Sequence, residues 1–201
     1  MKNTNMNRRT FLKVTTVAGG GLLVGCTFQS NPNISAPTAI SEDLGLFIRI
    51  AKDNSITIIS PTSELGQGTH TAHAMIIAEE LEADWKKIKV VTAPARSEYK
   101  KNLYLQSTSA NDGITSWWDR LAKIGAGTRE LLIEAGAQKM GVYIKECEAQ
   151  SGHVLHRPSS RKLSYGQLAE VASRLKPPSS PKLKSRDQYR FVGKAMPRLD
   201  I

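Results

Sequence analysis

LFIRIAKDNSITIISPTSELGQGTHTAHAMIIAEELEADWKKIKVVTA, residues 46–93, sets the architecture. LFIRI (Leu46 to Ile50) and SITIIS (Ser55 to Ser60) carry β-branched residues on either side of the polar turn KDN, which is the pattern of a hairpin. PTSELGQG follows as a loop closed by two glycines. From Thr69 the period changes: Ala72, Met75, Ile76, Ala78 and Leu81 recur at helical spacing, with Thr69 or Thr71 placed to cap the start. The helix is expected to end near Ala83 and Asp84, and KIKVVTA (Lys87 to Ala93) then supplies a third strand. Strand, strand, helix, strand is an α+β arrangement around a small mixed sheet.

Outward toward the C-terminus, PARSEYKKNLYLQSTSANDGITS is polar and aperiodic, and a loop of that length tends to be functional. A long second helix follows from Trp117, with Leu121, Ile124, Gly125, Thr128, Leu131, Leu132 and Ala135 on one face. Trp117 and Trp118 are read as packing anchors at its start. Ser151 and Gly152 suit the turn of a small hairpin. Ser164 and Gln167 have capping-box spacing and open a short helix to about Leu175. KPPSSPKLKSRD breaks all regularity, and QYRFVGKAMPRLDI reads as a segment on its way into a further body of protein.

Outward toward the N-terminus, NRRTFLKV (Asn7 to Val14) precedes VTTVAGGGLLVGC. A charged start followed by a short apolar run has the layout of an export signal, and the run is too short to span a bilayer. The pair Arg8 and Arg9 resembles the twin-arginine signal of bacterial export, a pathway that moves folded proteins. Cys26 ends LVGC, which resembles a lipoprotein lipobox; lipidation at Cys26 and plain cleavage nearby both stay open. The expected organisation is therefore a signal at residues 1–26, a linker at 27–44, one module at 45–176 and a connecting segment at 177–201. The expected location is the periplasm, soluble or anchored on the periplasmic side of the membrane. Lys plus Arg number 28 against 18 Asp plus Glu, and four of the cations (Lys2, Arg8, Arg9, Lys13) precede the apolar run. That surplus, without interleaved aromatic residues, asks for no nucleic-acid partner. Two cysteines make neither a disulfide framework nor a zinc site.

Glu64-Leu-Gly-Gln-Gly-Thr-His70 is the strongest candidate for chemistry. Two glycines around one amide let backbone approach a bulky group closely and leave the Gln67 head free, while the following helix start offers N–H groups to an anion. His70 and His73, at i and i+3, lack a third ligand nearby and are read as solvent-facing or core-edge residues. Glu79, Glu80 and Glu82 are read as a solvated helix face, and Cys147 as a packed, unreactive thiol. No catalytic residue and no metal ligand is assigned.

SPTSELGQGTHTAHAMIIAEELEADWKKIKVVTA, with Leu65 in place of the usual Met, resembles the pterin-binding segment of the xanthine dehydrogenase and aldehyde oxidase family of molybdenum hydroxylases. The order of parts, including the SWxxL helix, YGQLAEVA and FVGKAMPRLD, resembles the molybdopterin-binding large subunit of isoquinoline 1-oxidoreductase-like enzymes. The resemblance implies part of a larger molybdopterin-binding domain, with a molybdenum–molybdopterin cofactor shared with the rest of the subunit. It implies that Gln67 faces a ligand oxygen on molybdenum, with Gly66, Gly68 and Thr69 at the close approach. Ser107, Thr108 and Ser109, or alternatively Thr115 and Ser116, match a family Gly-Ser-Thr-Ser stretch at the pterin. The family hydroxylates a carbon beside nitrogen in a heteroaromatic ring, or an aldehyde carbon, using water-derived oxygen. Its glutamate base lies late in the chain, beyond the stretch present here, and electrons leave through a small 2Fe–2S subunit. The implied partners are the remainder of the large subunit, that small subunit and the twin-arginine export machinery. The expectation is a truncated N-terminal part, inactive alone; the rivals are an exported, lipid-anchored non-catalytic module and a remnant without function.

Overall fold

A computed structural model describes residues 13–17, 21–25, 47–101 and 105–201; for the first two stretches it describes the backbone. The strands are β1 (Lys13–Val17), β2 (Gly21–Gly25), β3 (Ile48–Ile50), β4 (Ile56–Ser60) and β5 (Ile88–Thr92), followed by β6 (Cys147–Gln150), β7 (His153–His156) and β8 (Arg161–Ser164). The α-helices are α1 (Thr69–Leu81), α2 (Trp118–Met140) and α3 (Tyr165–Ala172). The first five strands form one sheet in the order β1-β2-β3-β4-β5, antiparallel except for the β4–β5 pair. That parallel pair needs a crossover, and α1 supplies it. The strand-strand-helix-strand unit and the long second helix are as the sequence predicts. A second, antiparallel sheet, β6-β7-β8, follows α2. Its first turn is Ser151-Gly152, both with positive φ, the geometry a two-residue hairpin turn requires.

The apolar stripe of α1 and the alternate residues of β3 and β4 meet in one core. Ile48, Ile50, Ile56, Ile58, Ile77 and Leu81 are fully buried. Phe47 packs edge-on against Tyr99, ring centroids 5.2 Å apart, and against Trp117 at 5.9 Å, so Trp117 anchors α2 as expected. Gly125 lets α2 run close to α1: a Cβ there would stand 2.8 Å from the Ile77 carbonyl oxygen. Ser164 and Gln167 form the predicted capping box at the start of α3, which ends at Ala172. Tyr165 donates its hydroxyl to the Leu81 carbonyl at 2.7 Å, tying α3 to the end of α1. Among the described residues, no helix is long and apolar enough to cross a membrane.

One expectation is corrected. Glu79 and Glu80 are 1% and 2% exposed and do not form a solvated face. The Glu79 carboxylate accepts the backbone N–H groups of Arg190, Phe191 and Val192 at 2.8, 2.6 and 3.0 Å, and the Lys184 ammonium at 2.6 Å. Glu80 accepts the Lys184 N–H at 3.0 Å and pairs with Arg129 at 3.3 Å. Glu82 pairs with Lys184 and Arg190, both at 2.5 Å. These carboxylates bind the irregular segment after α3 along α1, so the side opposite the apolar stripe is covered as well. Lys13–Val17 and Gly21–Gly25, which the sequence reading assigns to an export signal, pair as strands of the main sheet. A short apolar run has no period that separates a signal core from a buried strand. Arg8, Arg9, Cys26 and the 27–44 linker lie outside the described residues.

Candidate functional site

β4 ends at Ser60, and the chain takes eight residues to turn into α1 at Thr69. Gly66 and Gly68 have φ of +96° and +81°, a region L-residues with a Cβ rarely adopt, so this turn requires glycine. Gly68 caps α1 without a side chain of its own. Glu64 supplies the missing acceptor: Oε1 takes the N–H groups of Gly66 and Gly68 at 2.8 and 2.9 Å, and Oε2 takes that of His70 at 3.0 Å. Partial burial pushes the Glu64 carboxyl upward, but those three N–H donors outweigh it and hold the group below its ordinary value. Of the α1 N–H groups expected to face an external anion, that of His70 is therefore already paired. An acid two residues ahead of the first glycine is the signal that would have predicted this cap.

Gln67 is exposed, but its head is not free. Its Oε1 accepts the Leu65 N–H at 2.5 Å and its Nε2 donates to the Ser63 carbonyl at 2.9 Å. The amide is thus oriented by its own loop. No heavy atom stands within 4 Å of where a Cβ on Gly66 or Gly68 would lie, so the outer face of the loop is open to a bulky group.

The polar loop after β5 lies against this turn. Thr108 Oγ1 accepts the Ser63 N–H at 2.8 Å, across 45 residues of sequence. Ser107 and Ser109 flank it, their hydroxyls 3.4 Å apart. The second candidate stretch reaches the turn by backbone instead: a Cβ on Gly113 would meet Thr69 Cγ2 at 3.7 Å. Thr115 and Ser116 bond back to the Asp112 carbonyl at 3.4 and 2.6 Å, while Asp112 is ion-paired to Lys101. Thr69 is buried beneath Gly113. So the structure ties the turn that carries Gly66, Gln67, Gly68 and Thr69 to Thr108 through Ser63, and leaves the Thr115 and Ser116 hydroxyls committed to their own turn.

His73 holds the two loops from below. It is fully buried, not solvent-facing, and His70 is 8% exposed. Its Nε2 lies 2.8 Å from the Gly113 carbonyl, which can only accept, so Nε2 carries the proton and Nδ1 faces the Ser60 hydroxyl at 3.0 Å. Burial pushes this imidazole down to about 4 and keeps it neutral. His70 Nε2 lies 3.3 Å from the Thr92 hydroxyl at the end of β5. Cys147 is half-buried, and burial with the nearby Glu146 pushes its thiol up, in keeping with an unreactive role. Among the described residues, no group of three or more His, Cys, Asp or Glu is placed to hold a metal ion.

A family model described as the molybdopterin cofactor-binding domain matches residues 8–198. The chain belongs to this family. It is 31% identical to the beta subunit of the isoquinoline 1-oxidoreductase of Brevundimonas diminuta, over the whole of this chain and 30% of that protein. It is 28% identical to the membrane-bound aldehyde dehydrogenase (pyrroloquinoline-quinone) of Gluconacetobacter polyoxogenes, over the whole of this chain and 26% of that one. A third relative, one of the subunits of the nicotinate dehydrogenase of Pseudomonas putida, is 26% identical over 82% of this chain and 14% of its own length. The molybdopterin-domain chain thus spans less than a third of each of these relatives.

The residues fit one wall of such a site. The space just outside Gly66 and Gly68 is open, and Thr108, flanked by Ser107 and Ser109, bonds to the same turn at Ser63. Glu64 already takes the N–H groups of Gly66, Gly68 and His70 at the start of α1.

Proposed function

We propose that this chain is the N-terminal part of a molybdenum hydroxylase large subunit, and that the turn at Glu64–Thr69 with Ser107–Ser109 forms one wall of its molybdopterin site. The observation that carries the reading is the junction of the two loops, the Ser63 N–H on Thr108, under an outer face left open at Gly66 and Gly68. When bound, the cofactor supplies two-electron oxidation of N-heteroaromatic or aldehyde substrates with water-derived oxygen. This chain's residues bind and orient: Glu64 fixes the turn, Gln67 presents an amide, and the Ser107 and Ser109 hydroxyls offer hydrogen bonds to the pterin end. Turnover is a property of the complete large subunit, since the family's glutamate base matches nothing in this stretch. Leu65, Leu105 and Ile114, exposed by 75%, 62% and 38%, sit on the two loops and suit a face that the remainder of the subunit covers. A small 2Fe–2S subunit would take the electrons. The Arg8-Arg9 pair supports twin-arginine export to the periplasm.

The test is pterin content of the purified complete subunit with Gln67→Ala, or with Ser107→Ala and Ser109→Ala together. The expected result is a drop of about tenfold in retained pterin, the loss of roughly one good hydrogen bond, with an unchanged melting temperature. Full pterin loading in both variants would overturn the assignment. The self-bonded Gln67 head favours a second reading, an exported module that keeps the fold without the cofactor, and full absence of pterin from the parent protein would select it.

A further inference from the structure

The segment read as an export signal is also the outer part of the main sheet. β1 and β2 form a five-pair antiparallel hairpin, from Lys13↔Gly25 to Val17↔Gly21. β2 continues onto β3 through Leu22↔Ile50, Leu23↔Arg49 and Val24↔Ile48. We propose that residues 13–25 are retained in the mature protein as two structural strands, so that this segment is not a cleaved leader and Cys26 is not an acylated N-terminus. The inference does not rest on the cofactor reading, and it holds with or without export.

Three observations carry it. β3 is a three-residue strand whose Ile48 and Ile50 are fully buried, and it has β4 on one side and β2 on the other. Without β2, the outer N–H and C=O groups of β3 would lose their partners and the core strand would become an open edge. Second, α3 is fixed close to this end of the sheet: a Cβ on Gly166 would stand 2.5 Å from the Lys52 carbonyl oxygen, in the β3–β4 turn. The helix therefore lies alongside β1, β2 and β3. Third, the family model begins at residue 8, ahead of β1, and two relatives align over the whole chain. The segment thus aligns as part of the domain. Making Cys26 an acylated N-terminus requires cleavage of the Gly25–Cys26 bond, which releases both strands at once. The two fates exclude each other on one molecule.

The experiment is intact mass and N-terminal sequencing of the full chain, produced together with the remainder of its subunit in an export-competent bacterium, beside a version starting at Thr27 and the variant Leu23→Pro. Leu23→Pro removes a backbone N–H from β2 and disfavours it as a strand inside the sheet. The expected mass retains residues 13–25 with an unmodified Cys26, and both altered chains lose at least about 5 °C in melting temperature or fail to accumulate in soluble form. A mature chain beginning at Cys26 or later would overturn the proposal. So would retention of the segment with all three melting temperatures equal. Loss of molybdenum alone bears on the cofactor reading and leaves this result unaffected.

Discussion

Glu64 is a single side chain that closes three backbone N–H groups at the one place where the site needs a rigid turn. Glu64→Gln keeps the shape but replaces one accepting oxygen with an NH2 group that cannot accept, so at least the His70 bond or the Gly66 and Gly68 pair is lost; the expected cost is about 1–2 kcal/mol, in the range of a lost helix cap, read by urea unfolding at pH 7. Because the folded carboxyl lies below its ordinary value of 4.5, this contribution is present above that pH and is lost as the pH falls through the folded value. His73 works in a different range. The unfolded imidazole titrates near 6.5 and the folded one near 4, so the folded state binds fewer protons between them and stability falls as pH drops through that window. Unfolding free energy should decline by roughly 3 kcal/mol between pH 7 and pH 4 from this group, and His73→Gln should flatten that part of the profile. An unaltered slope in the variant would remove the buried-neutral assignment. The Glu64 cap left a local signal, an acid two residues ahead of the first glycine, whereas the His73 role did not, since its partner, the Gly113 carbonyl, is set by the folded loops.

At the scale of elements, what carries a period was readable. The β3–β4 hairpin, α1, β5 and α2 follow from alternation and helical spacing, and the Ser164–Gln167 capping box from its spacing alone. The covering of α1 by residues 184–192 was not, because that segment has no period and its partners lie more than 100 residues away. The acidic run EELE reads as a solvated face until the three N–H groups that Glu79 accepts are in view. Glu79→Ala should leave those N–H groups without their acceptor and Lys184 with Glu82 alone, and cost about 3 kcal/mol, with faster tryptic cleavage after Arg190 and Lys194 as the direct readout. Unchanged cleavage would mean that the segment is held by other contacts. Gly166→Ala should cost roughly 1–3 kcal/mol, since the added methyl meets carbonyl oxygens of the β3–β4 turn at 2.5 and 2.6 Å, and backbone cannot move aside cheaply.

On the scale of the whole molecule, the proposed reading makes this module one wall of a larger site. The motif Glu64–His70 was legible because its glycines and amide are local in sequence. Its junction with Ser107–Ser109 was not, because 45 residues separate Ser63 from Thr108 and nothing in the intervening loop is periodic. Family membership and the open face at Gly66 and Gly68 support the claim that this wall contributes to holding molybdopterin once the remainder of the subunit encloses it. The most direct measurement is molybdenum and pterin content of the purified chain, produced alone and together with that remainder. The account predicts both in the combined preparation and little in the chain alone; their absence from the combined preparation would contradict it.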